Sequence, residues 1–344
     1  MKENKKGLLV IAAVAIALIG LWVVWQQWKF SDKGNGGFYQ NGKAGTETDE
    51  EGKSDTEDSK SSKSNVSSDE GVIHPTAEEK GERKIVENTN YNEIDNTLYA
   101  WWFKRNDNHE KSGCQEDFDI SEYNGYYTVP VSRKIIYITF DCGYENGYTA
   151  DILDTLKKNK VPAAFFVTQT FIRDNIDLVK RMKEEGHLVC NHTVRHPSMP
   201  GKSVEEQKNE LLECENYMKE ATGYEMDLFF RPPKGEYSKR TLQIAKDLGY
   251  ATIFWSMAYL DYDVNNQPSK EHVVEHFRKY YHPGAIPLMH NVSVANKEAL
   301  EQVINDLKKE GYSFGTLYDI MNCADAQAGH QFSLKIGDII YTKE

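Results

Sequence analysis

From Lys134 onward, short apolar runs rich in β-branched and aromatic residues alternate with stretches of helical periodicity. The runs fall at 135–140, 163–167, 188–190, 228–230, 252–255, 286–289 and 314–316, and each predicts a strand. Between them, Ile152, Leu153 and Leu156 share one helical face. So do Leu242, Ala245 and Leu248, and Leu300, Val303, Ile304 and Leu307. Ser203-Val204-Glu205-Glu206 reads as a capping box that opens a further helix. Three helices are expected to stop alike, at Gly186, Gly249 and Gly311, because glycine takes the left-handed conformation that ends a helix. This rhythm predicts an α/β fold with a mostly parallel sheet, and the expectation is a distorted, irregular (β/α) barrel of about seven parallel strands.

The chain before this rhythm divides into three parts. Leu8 to Trp25 is an uncharged apolar run of eighteen residues, with Lys2, Lys5 and Lys6 before it and Trp22, Trp25 and Trp28 towards its end. That is long enough to span a bilayer, with lysines on the cytoplasmic side and tryptophans at the far interface. No small-x-small cleavage site comes close behind it, so residues 1–29 are expected to be a cytoplasmic tip and an uncleaved transmembrane anchor rather than a removed signal peptide. Residues 30–84 are Gly-, Ser- and acid-rich with little apolar content, the composition of a disordered linker. Such a linker would span about 40 Å, letting the rest of the chain work in a layer beyond the membrane. Residues 85–130 are too aromatic for a linker and predict an irregular wrap packed on the main domain. An exposed aromatic sugar-binding surface is the functional alternative for that stretch. Residues 131–322 would be the catalytic domain and 323–344 a C-terminal extension.

Charge changes the picture little. The net charge of the 344 residues is -12, but the stretch 46–82 holds twelve acidic and four basic residues, so most of the acidity belongs to the linker. No basic stripe marks a nucleic-acid surface. The five cysteines, at 114, 142, 190, 214 and 323, are odd in number and imply no dense disulfide framework.

Chemistry concentrates where the predicted strands end. Asp141, His192, Arg231, Asp261 and His290 each follow or close an apolar run, and catalytic groups gather at the carboxyl ends of parallel strands. Asp141 and Cys142 lie together in Thr139-Phe140-Asp141-Cys142-Gly143; His192 and His196 lie in His192-Thr193-Val194-Arg195-His196-Pro197. Two imidazoles, a carboxylate and a thiol in reach of one another point to metal-assisted hydrolysis. A second pair, His272 and His276 in His272-Val273-Val274-Glu275-His276, matches an inverted zinc-peptidase pattern but sits within a predicted helix over 269–281 and reads as a decoy.

Five ordered segments resemble the motifs of polysaccharide deacetylases, carbohydrate esterase family 4 with the NodB homology domain. They are 139–143, His-Thr-x-x-His-Pro at 192–197, Arg-Pro-Pro-x-Gly at 231–235, Trp-Ser-x-Ala-Tyr-x-Asp at 255–261 and Leu-Met-His at 288–290. Gly143 to Tyr148, Asn265-Asn266-Gln267 and His282 to Ile286 look like the branch acting in muramic-δ-lactam formation in spore cortex.

The resemblance implies that Asp141 is the base and His290 the acid. Arg231 would tune Asp141, Asp261 would orient His290, and the Lys234 N–H would donate to the oxyanion. His192 and His196 would hold a divalent metal, most suitably Zn2+. The family's usual third ligand is an Asp where this chain has Cys142; either the thiolate binds or it points away. Tyr144, Glu145, Asn146, Trp255 and Tyr259 are the expected substrate contacts. The implied substrate is N-acetylmuramic acid in a peptidoglycan glycan strand. The alternatives are N-acetylglucosamine in wall or chitin-type glycan, and a non-catalytic tethered wall-binding module.

Overall fold

The computed structural model describes residues 85–320 apart from Glu87 and Glu116. The expected anchor (1–29), linker (30–84) and C-terminal extension (323–344) lie outside the described residues. Among the described residues no helix is long and apolar enough to cross a membrane.

Eight strands form one sheet: β1 (Gly125–Tyr126), β2 (Ile138–Cys142), β3 (Ala163–Val167), β4 (Leu188–Asn191), β5 (Asp227–Phe230), β6 (Ala251–Ile253), β7 (Met257–Ala258) and β8 (Pro287–His290). Their order is β7-β8-β2-β3-β4-β5-β6-β1, with every pairing parallel. Helices follow β2, β3, β4, β5, β7 and β8: α1 (Thr149–Asn159), α2 (Gln169–Asp174), α3 (Ile176–Glu184), α4 (Val204–Thr222), α5 (Lys239–Asp247), α6 (Lys270–Tyr280) and α7 (Val294–Lys309).

The local signals act as their chemistry dictates. Ser203 and Glu206 form the capping box of α4. Gly186, Gly249 and Gly311 have φ of 84°, 84° and 82°. At each, the next residue donates back into the helix: His187 to Met182, Tyr250 to Ala245 and Tyr312 to Leu307. These are the long return bonds that end a helix and swing the chain into a strand.

The chain itself forces the sheet to curl. β6 and β7 lie six strand spacings apart in the ladder, about 29 Å if the sheet were flat. Only Phe254, Trp255 and Ser256 join them, a reach of about 14 Å at full extension. That linker is fastened to both margins. Phe254 N–H donates to Tyr126 O on β1, and Ser256 N–H to Ile286 O just before β8. The single strand expected at 252–255 is therefore β6 running into the staple, and β7, at the far edge of the sheet, follows it.

Two other expectations change. The wrap at 85–130 supplies β1, which makes the sheet eight-stranded. The run at 314–316 does not join the sheet; Ser313–Phe314 pairs instead with Ile135–Ile136. The wrap's aromatic content is largely packing: Trp101 is buried, stacks on Phe254 at 4.4 Å and donates through Nε1 to Trp255 O. Among its aromatics Trp102 alone is exposed.

Strand alternation sorts the core into two layers. Ile138, Phe140 and Cys142 of β2 face outward and pack with Ile152, Leu153 and Val303 of the helices. Tyr137 faces inward with Phe166, Cys190, Phe229 and Ile253. Thr139 and Asp141 share that inner face, at the carboxyl end of the barrel.

Candidate active site

Arg231 follows β5 and crosses the barrel mouth, wholly buried. Its Nη1 donates to Asp141 Oδ1 at 2.7 Å and to Thr139 Oγ1 at 3.0 Å. Nε and Nη2 donate to the main-chain oxygens of Ile253 and Phe254, and the guanidinium lies 4.0 Å from the Phe166 ring centre. Each nitrogen of the fork is thus used. Burial alone would raise the Asp141 carboxyl, but Arg231, then His192 and His290, outweigh it and hold the group below its ordinary value. Asp141 is therefore an ionised carboxylate in a nearly closed site.

The His192–His196 segment leaves β4 through a strained turn. Thr193 and His196 have φ of 71° and 58°, left-handed values costing about 1–3 kcal/mol each for residues with a side chain. Side chains hold the turn in place. Asn191 Oδ1 accepts from Thr193 N–H, Thr193 Oγ1 from His196 N–H, and Glu210 from both Val194 and Arg195 N–H.

His192 Nδ1 donates to Arg231 O at 2.8 Å, which leaves Nε2 facing Asp141 Oδ2 at 3.6 Å. The two imidazole centroids are 4.8 Å apart. Burial pushes both rings below their ordinary value, His196 to about 3. Neutral imidazoles are the form that binds metal.

Among the described residues no three His, Cys, Asp or Glu side chains close into a metal cage. The donor set is an open pair instead: two neutral imidazoles beside a carboxylate, the first ring oriented through its other nitrogen as metal-bound histidines usually are. That chemistry fits a divalent cation with water in its remaining positions.

Cys142 is not in this set. β2 runs on through it, so its thiol lies on the outer face, fully buried among Phe140, Val167 and Ile304. Burial, with Asp141 and Glu145, pushes the thiol far up, against forming a thiolate. Of the two outcomes weighed for this residue, the structure gives the thiol that points away.

His290, on β8, is the Cα partner of Asp141. Its Nδ1 donates to Asp261 Oδ1 at 2.7 Å, and its N–H to Asp261 Oδ2 at 2.8 Å. Burial would lower the ring, but Asp261 and then Asp141 outweigh it and raise it above its ordinary value. Asp261 is fully buried while the His290 side chain is 23% exposed, so its Nε2 edge stays reachable.

Lys234 has φ 60° in the Pro232-Pro233 turn, and its N–H finds no backbone acceptor among the described residues. Gly235 beside it (φ 67°) lies where a Cβ would come within 2.8 Å of the Trp255 ring, so this position requires glycine.

The expected substrate contacts divide. Tyr144 is exposed and Trp255 half-buried near Arg231. Glu145 is committed to the Gly147 and Thr149 N–H groups and to the Thr149 hydroxyl, and Asn146 to Val292 O. These bonds hold the loop in place. Tyr259 donates to Asn296 Oδ1.

Sequence reasoning missed Thr139, Asn296 and Tyr262. Thr139 was findable, since it stands two residues before Asp141 on the same strand face. Tyr262 is exposed, 5.7 Å from the His290 ring. The decoy pair sits on α6, where His276 packs against the Tyr259 and Tyr280 rings.

A parallel barrel whose mouth gathers a carboxylate held low, two neutral imidazoles and a raised imidazole has the base and the acid that hydrolysis needs, beside an imidazole pair able to hold a metal. Comparison with known proteins narrows that class. Residues 128–253 match the family model described as polysaccharide deacetylase. The chain is 43% identical over 230 residues to the peptidoglycan-N-acetylmuramic acid deacetylase PdaA of Bacillus subtilis, covering 66% of this chain and 88% of that one. It is 35% identical over 205 residues to a peptidoglycan-N-acetylglucosamine deacetylase of Bacillus cereus, covering 58% and 95%. The solved structure of Bacillus subtilis PdaA, a family 4 carbohydrate esterase, superposes with a TM-score of 0.65 at 42% identity, covering 67% and 99%. The chain belongs to the polysaccharide deacetylases of carbohydrate esterase family 4, hydrolases that act on amide bonds.

Proposed function

We propose that the protein removes the N-acetyl group of N-acetylmuramic acid in peptidoglycan, releasing acetate. The observation that carries this reading is the 43% identity extending over 88% of a relative named for that substrate. The match to the glucosamine-directed relative is weaker, at 35%.

The side chains supply the steps. Asp141, kept ionised by Arg231, takes a proton from the water that attacks the acetamide carbonyl. The Lys234 N–H donates to the developing oxyanion. His290, kept protonated by Asp261, gives its Nε2 proton to the leaving nitrogen, and the C–N bond breaks. His192 and His196 would hold the divalent cation, Zn2+ by ligand type, which acidifies water and shares oxyanion charge when bound. Tyr144 and Trp255 stand at the mouth to meet the glycan.

The freed amine then lies beside the lactyl carboxyl of the same sugar and can close on it as the δ-lactam of spore cortex. In this reading residues 131–322 are the catalytic domain and 85–130 its wrap. Residues 1–29 anchor it and 30–84 space it from the membrane, on the extracytoplasmic side.

The test is acetate release by the purified protein from peptidoglycan glycan whose muramic acid carries no stem peptide. Release from that glycan and none from chitin oligomers is expected. Release from chitin oligomers alone would move the substrate to N-acetylglucosamine. No release from either glycan, by metal-loaded protein, would leave a non-catalytic wall-binding module.

A further inference from the structure

Asp261 comes from a segment with little apolar hold: Leu260 and Tyr262 on either side of it are 73% and 57% exposed. The carboxylate is nonetheless fully buried and fixed. Besides the two bonds from His290, Oδ2 accepts from Asn296 Nδ2 at 2.7 Å. The same Nδ2 donates its second hydrogen to His290 O at 3.0 Å. One amide therefore spans both members of the pair. Asn296 Oδ1, turned the other way, accepts from the Tyr259 hydroxyl at 2.8 Å. The reversed amide would set Oδ1 against the carboxylate, two acceptors facing one another.

Asn296 is itself rigidly placed. It is 1% exposed in the first turn of α7, its N–H donates to the Ser293 cap, and Ala295, Ala299 and Leu300 seat that helix in the core. A second latch reinforces the first. Gln267 donates to the main-chain oxygens of Asp261 and Asp263, and its Oε1 accepts from Ser293 Oγ. The acid pair is thus bound to one helix N-terminus through side chains, by Asn296 at the carboxylate and by Gln267 at the backbone.

We propose that Asn296 is a positioning residue for the acid pair, with Tyr259 orienting its amide. This rests on the assignment of His290 as the acid. Without the Asn296 amide, the Asp261 carboxylate loses its only donor from outside the pair among the described residues, and the imidazole loses a fixed direction. The chemical step suffers while ground-state binding does not.

The experiment measures kcat and KM of the full-length protein on whichever glycan the wild type deacetylates, for Asn296→Leu, Tyr259→Phe, the double variant and His290→Ala. Asn296→Leu should lose about tenfold to a hundredfold in kcat with KM unchanged, the scale of one hydrogen bond to a charged group. Tyr259→Phe should lose about threefold in kcat, again at constant KM. The double variant should be no worse than Asn296→Leu, because Tyr259 acts through Asn296.

Wild-type kcat in Asn296→Leu, with His290→Ala inactive, would overturn the positioning role alone. An active His290→Ala would overturn the acid assignment itself. A raised KM at unchanged kcat in Tyr259→Phe would return that tyrosine to the substrate. Should Asn296→Leu lose its near-UV dichroism, Tyr259→Phe, which removes one hydroxyl, decides by the same kcat criterion.

Discussion

Asp141 and His290 are partners on adjacent strands, yet the protein holds them by different means. The base side is part of the barrel core. Arg231 is buried without remainder, and two of its donors end on main-chain oxygens at the end of the neighbouring strand β6. The acid side is attached from outside. Asp261 arrives on a segment flanked by exposed residues and is kept in place by Asn296 and Gln267. The base side cannot be loosened without loosening the fold, whereas the acid side can be undone and leave the barrel standing.

The sharpest way to break this comparison is at its centre. Asp141→Asn should cost on the order of a thousandfold in kcat, read by acetate release, and should lower Tm as well because it leaves the buried Arg231 without its counter-charge. Arg231→Met should cost both stability and activity. It strands a buried carboxylate, a loss of about 3–5 kcal/mol visible as a lowered Tm. It should also raise the Asp141 carboxyl, so the acid limb of the pH–rate profile moves to higher pH.

Asp261→Asn should lower kcat by about a hundredfold and leave Tm nearer the wild type than Arg231→Met does. His290 then loses the charge that raises it, so the alkaline limb should move to lower pH. Cys142→Ala should have the least effect. Metal content and kcat should match the wild type, with a stability loss of about 1 kcal/mol in thermal unfolding. Lost metal in that variant would bring the thiol back to the site.

The strand–helix rhythm was legible because each strand is apolar and each helix carries its own start or stop, as at Ser203, Gly186, Gly249 and Gly311. The five ionisable strand ends were legible because a parallel barrel gives that edge a single use. The two sides of the staple were not. Met257–Ala258 and Gly125–Tyr126 are two residues long, too short to carry a period, and their places follow from distant partners. Cys142 stayed open in the sequence because it adjoins Asp141. The strand continues one residue further than a turn there would require, and alternation sends the two side chains to opposite faces. Asn296 gave no local signal, since nothing near it in the chain names Asp261 as its partner.

The Phe254–Ser256 staple also sets an order of assembly. β1 is the first strand of the sheet in the chain, yet its partner in the ladder is β6 and the staple fastens its neighbour to the segment before β8. The middle strands β2 to β5 can pair with near neighbours as they appear. The seam must wait for both distant pieces, and contacts that close long loops form late. On that ordering the seam and the catalytic mouth would close together, because Phe254 of the staple is also an acceptor for Arg231.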